Sequence, residues 1–200
     1  THLTNMARKG RFSSLVSVGF DRTDGVQEGM KFKQGNLFAK LGYEASRQWS
    51  LQADYSLMKF LADDPVYPKV YKNDPTGIYH QNVVRGSASV SAKNKYERTS
   101  GNLRAFYSYG NHHIQDPAAF HSVDDRMGLM IYQNMELWPE ASAAAGFDFD
   151  AYSGKIPLSG GKDHSQAPMA TLKRKHIVEY SPYLTLTQSF MQGRFSANAG

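Results

Sequence analysis

Histidine and tyrosine are the residues whose chemistry stands out in this chain. Of seven histidines, His80, His112, His113, His121, His164 and His176 fall in or beside the long segments that separate runs of alternating hydrophobicity. Neutral imidazole ligates haem iron and divalent transition metals. His112, His113 and His121 share one such segment, which makes them the first candidates for ligand binding, with His80 on another. Histidine is also an ordinary polar residue of exposed loops, and that reading stands beside the ligand one. Tyr67, Tyr71, Tyr79 and Phe120 place aromatic surface in the same segments. Such rings suit a flat ligand such as a porphyrin, corrin or catecholate, and they equally well pack loops on one another. Asp63, Asp64 and Asp74 supply carboxylates of the kind calcium takes, and Asp124 and Asp125 form a second acidic pair. Their spacing fits no EF-hand, so solvated loop acids are the alternative. The identity of any metal stays unknown, and no cofactor is expected.

Other chemistries find little support. The chain has no cysteine, which removes disulfide frameworks, thiol nucleophiles and zinc ribbons. Gly160-Gly161-Lys162 lacks the spacing and following helix of a phosphate loop. Ser122 and Asp124 lie beside His121, but a catalytic triad is defined by geometry and no nucleophile motif accompanies them. The chain is not expected to be an enzyme. Its net charge is +5 from scattered Lys and Arg, without the dense basic stripe of a nucleic-acid binder. No nucleic-acid partner is expected.

The elements that must carry these residues are strands. Trp49, Leu51, Ala53, Tyr55 and Leu57 alternate with Ser50, Gln52, Asp54 and Ser56. A helix would mix the two sets, whereas a strand sends them to opposite faces. The same period recurs along the chain and predicts nine strands, near 11–21, 35–46, 49–60, 81–93, 101–112, 127–138, 141–152, 176–187 and 191–199. The run 127–138 alternates least well. Pro182 falls inside an expected strand, where it removes a ladder donor and requires a bulge or a strand-rim position.

These strands are about twelve residues long, roughly twice the usual soluble strand and enough to cross a bilayer at a tilt. Expected short links at 47–48, 94–100, 139–140 and 188–190 alternate with long ones at 22–34, 61–80, 113–126 and 153–175. That is the sidedness of an outer-membrane barrel, with tight periplasmic turns and long extracellular loops. Six of eight prolines fall in the long links. Trp49, Trp138, Phe12 and Phe190 lie toward the short links, and Phe20, Phe60, Tyr109, Phe149 and Tyr180 toward the long ones. Two such girdles are the aromatic anchors of a lipid interface. Arg85, Arg104, Asp54, Asp148 and Asp150 fall on the opposite, hydrophilic face, which a soluble barrel would fill with an apolar core. Mean hydropathy is −0.54 and no apolar run suffices for a membrane helix, which leaves a β-barrel open. A large soluble β-sandwich is the alternative architecture, since its strands also alternate.

The segments Arg126–Asn134, Ala145–Lys155 and Glu179–Phe190 resemble barrel strands of TonB-dependent outer-membrane receptors, in particular the Bacteroidota receptors related to those for vitamin B12 and iron chelates. The resemblance runs over essentially the whole chain. It implies a barrel of about 22 strands filled by a plug domain. It also implies import of a scarce metal chelate or cofactor (a siderophore, haem or cobalamin) driven by an inner-membrane TonB complex pulling on the plug. On this expectation residues 1–200 are part of one all-β, antiparallel transmembrane barrel of about nine strands here, with the plug absent. An odd strand number, and a chain opening at Thr1 without a signal peptide, suggest a fragment or trimmed mature piece. The expected location is the outer membrane of a Gram-negative bacterium. The expected partners are outer-membrane lipid, the plug and TonB complex of the full-length protein, and the ligand. A plug-free porin-like channel and a soluble β-sandwich binding or adhesion module are the alternatives.

Overall fold

The computed structural model describes residues 1–27, 29–65, 78–115, 120–158, 172–192 and 194–200. Among the described residues ten strands follow one another: β1 (His2–Lys9), β2 (Phe12–Thr23), β3 (Phe32–Glu44), β4 (Trp49–Pro65), β5 (Ile78–Lys95), β6 (Thr99–Gln115), β7 (His121–Trp138), β8 (Ala141–Leu158), β9 (Leu172–Phe190) and β10 (Phe195–Ala199). They form one antiparallel sheet in chain order, and the described residues include no helix. Each strand pairs only with its sequence neighbours, so β1 and β10 are edges and the sheet is not closed into a barrel.

All nine expected strands are present, including the poorly alternating 127–138, which lies within β7. The addition is β1. Its residues are exposed throughout and show no amphipathic period. It forms because Gly10, at a φ of 57°, turns the chain back onto β2, where Lys9 pairs with Phe12. The described residues thus hold ten strands, an even number, where nine were expected.

The strands are also longer than expected. β4 to β9 run from 17 to 19 residues because antiparallel pairing continues into segments read as loops. Asp63 pairs with His80 and His113 with His121. The links still differ between the two ends, spanning 10–11, 45–48, 96–98, 139–140 and 191–194 at one and 24–31, 66–77, 116–120 and 159–171 at the other. The contrast is weakest between β6 and β7, which are five residues apart, 116–120.

Two irregularities follow from local chemistry. Pro182 lies within β9 opposite Phe147, with no bulge there. β10 is paired with β9 from Phe190 to Leu186, short of Pro182. A register shift between Glu136 and Trp138 places Trp138 opposite Ala141. The extra residue carries the indole onto the face occupied by Ala141, from which simple alternation would exclude it.

Candidate functional site

The sheet has two faces of opposite character. Directly opposed residues share a face, so the register can be followed across the strands. On one face a row runs Leu41, Ala53, Val90, Ala105, Leu129, Phe149, Tyr180 from β3 to β9. The next runs Tyr43, Leu51, Ala92, Leu103, Ile131, Phe147. On the reverse face the corresponding row runs Lys40, Asp54, Ser89, Phe106, Gly128, Asp150, Glu179.

Burial inverts the usual rule. Leu51, Leu41 and Val90 of the apolar face are 44%, 57% and 59% exposed, while Gln52, Asp54 and Ser56 of the polar face are partly buried. Among the described residues only Val83 and Ala141 are buried hydrophobics. A soluble domain of this size buries its apolar side chains, and a large exposed apolar surface marks a contact with another apolar phase or partner.

The apolar face has limits. On β4 it runs unbroken from Trp49 to Leu57 and is interrupted at Lys59, with Leu61 beyond; on β2 it extends from Phe12 to Phe20 and stops at Arg22. On β5 it spans Val84 to Ala92 between Asn82 and Asn94, and Asn94 bonds Gln133 across β6 at 3.2 Å. Beyond the far limit the same face carries Arg174, which bonds the Asp125 carboxylate and the Ser153 hydroxyl. Near its margins stand most of the expected aromatic girdle. Phe12, Trp49, Trp138 and Phe190 lie toward the short links and Phe20, Tyr109, Phe149 and Tyr180 toward the other end. The Trp49 indole donates to the Tyr96 hydroxyl at 2.8 Å, and the Trp138 indole to the Gln188 side-chain oxygen at 3.1 Å. Phe60 departs from this set. It stands opposite Gln34 and Val83 on the polar face, because it is an odd number of residues from Leu57 in a period-two strand.

The polar face satisfies much of its own charge. Asp150 accepts from Arg126 Nε at 2.8 Å, and the Arg126 guanidinium lies 5.2 Å from the Phe106 ring centre and 5.0 Å from that of Tyr152. Arg85 reaches Asp124 at 3.3 Å, and Asp54 accepts from Ser89 and Gln52 at 3.0 Å each. Arg104 and Asp148 flank Met130 in one row, and Asp148 Oδ1 is buried without a hydrogen-bond partner.

The candidate ligand residues do not form one cluster. His112 and His113 are neighbours in β6 and so take opposite faces. His112 lies on the polar face, its Nε2 buried without a hydrogen-bond partner and its ring edge-on to Phe120 at 5.9 Å. His113 faces His121 across β6 and β7, with ring centres 5.3 Å apart. His121 Nε2 lies 3.0 Å from Asn111 Oδ1. This pair is beyond Asn111, past the limit of the apolar face. Partial burial, then His113 and Lys155, hold the His121 imidazole below its ordinary pKa. His80 Nδ1 contacts Asp63 Oδ1 at 2.7 Å. Asp63 and Asp64 are consecutive strand residues directed to opposite faces, which does not make a calcium cage. Among the described residues no three His, Cys, Asp or Glu side chains converge on a metal position. Tyr67, Tyr71, Asp74 and His164 lie outside the described residues.

No protein-family model, curated protein or solved structure matches this chain.

Proposed function

We propose that the chain is a wall segment of an outer-membrane β-barrel whose apolar face meets lipid and whose polar face lines the interior. The observation that carries the reading is the inverted burial: an exposed apolar band bounded at both ends by polar residues, backed by a polar face with internal ion pairs. On β4 the band spans Trp49–Leu57, close to the 9–11 residues a tilted strand needs to cross a bilayer. The resemblance of its strands to TonB-dependent receptors makes uptake of a scarce metal chelate or cofactor the proposed activity. The residues past the long-link end of the band would then belong to the ligand mouth.

A second reading is a plug-free, porin-like channel. It is favoured by the pairing of Arg126 with Asp150 and Arg85 with Asp124, four charges that need no partner from a further domain. Expression of the full-length parent in a Gram-negative host tests the shared premise. The proposal expects recovery in the outer membrane and a gel mobility that shifts on boiling. Recovery in the soluble fraction without a shift contradicts both readings. Liposome conductance without added ligand separates channel from receptor.

A further inference from the structure

His113 on β6 and His121 on β7 stand directly opposite each other. The next pair along the ladder is joined by Ile114 N–H donating to the Phe120 carbonyl at 2.8 Å. In an antiparallel ladder hydrogen-bonded and non-bonded pairs alternate, so His113 and His121 form a non-bonded pair, the kind that brings side chains closest. Their ring centres are 5.3 Å apart with planes inclined at 51°. A tetrahedral ion held about 2.0–2.1 Å from one nitrogen of each ring would set the two centres roughly 5 Å apart.

The chemistry of the rings agrees. An amide oxygen only accepts, so His121 Nε2 donates its proton to Asn111 Oδ1 and Nδ1 keeps its lone pair. Metal-bound histidines are oriented in this way by an acceptor on the other nitrogen. Burial and the neighbouring His113 and Lys155 favour a neutral His121 ring, the form that ligates. Lys155 also opposes added positive charge, which sets a modest affinity. Among the described residues no third His, Cys, Asp or Glu joins the pair, so water completes the coordination shell.

We propose that His113 and His121 form a cross-strand chelate for a borderline divalent transition-metal ion of the Zn2+, Ni2+ or Cu2+ type. The site depends on two paired strands and not on lipid contact. The test is calorimetric titration of Zn2+ and Ni2+ into the full chain, in detergent micelles or plain buffer according to where it is recovered. One equivalent is expected to bind. His113→Gln and His121→Gln should each weaken binding at least about tenfold, and the double variant should bind no worse than either, because both ligands serve one ion. Asn111→Ala should weaken binding about tenfold by freeing the ring. His112→Gln, one residue away on the opposite face, should leave it unchanged. Circular dichroism of each variant checks folding. Binding that survives both single substitutions, or losses that simply add, would overturn the chelate whatever the fate of the membrane reading.

Discussion

Phe106 on β6 covers Gly128 on β7 so closely that a Cβ on the glycine would stand 2.5 Å from Phe106 Cζ. Tyr183 covers Gly146 in the same manner on the same polar face. In both pairs a ring fills the space that the absent side chain leaves, which tightens the sheet locally. Gly128→Ala and Gly146→Ala should each cost about 1–3 kcal/mol through overpacking. Gly35→Ala, where a Cβ meets nothing within 4 Å, should be near neutral. Thermal unfolding of the three variants checks the order.

The two faces should answer differently to charge. Leu51→Arg and Val90→Arg, on the apolar face, should each cost about 2–4 kcal/mol in the bilayer. Ser50→Arg and Ser87→Arg, on the polar face, should cost far less. Ser89 is no such tolerant site, although alternation alone would make it one. It is 7% exposed and donates to Asp54 Oδ2 at 3.0 Å, so its replacement leaves a carboxylate short of a donor. Folding titrations in lipid vesicles measure each cost. Equal penalties on both faces would contradict the assignment.

Protonation should loosen the His113–His121 end of the sheet. Burial, His113 and Lys155 all lower the His121 pKa in the folded state. A depressed folded pKa means the unfolded chain takes up the proton first. Stability is therefore fully present above the unfolded value, near pH 6.5, and falls as pH drops from about 7 toward 5. His121→Gln should flatten that part of the profile. Melting temperatures of the two proteins across this range provide the check, and superimposable slopes would contradict it.

Much of the sheet was legible because period-two alternation is a local signal. Leu51 and Gln52 reveal their faces without knowledge of any partner strand. Strand ends were not legible in the same way, since pairing such as Asp63 with His80 depends on a neighbour distant in sequence. The same extension of the ladder broke the expected histidine cluster, sending His112 to one face and His113 to the other. Trp138 reaches the apolar face through a bulge that no alternation pattern encodes, while Phe60, three residues from Leu57, is sent to the polar face by its parity whatever its position along the strand. The His113–His121 pairing needed the β6–β7 register, which the spacing of the residues does not give.

The central claim is that the apolar face lies against lipid, and cysteine scanning tests it most directly, since the chain has no cysteine of its own. Single cysteines at positions 50 to 57 of β4, spin-labelled in the protein reconstituted in bilayers, would be probed with membrane-dissolved oxygen and with an aqueous nickel chelate. The account predicts a period of two, with oxygen contact at 51, 53, 55 and 57 and reduced contact at 50, 52, 54 and 56. An alternation in the opposite phase, or uniform access to the aqueous reagent along the strand, would contradict it.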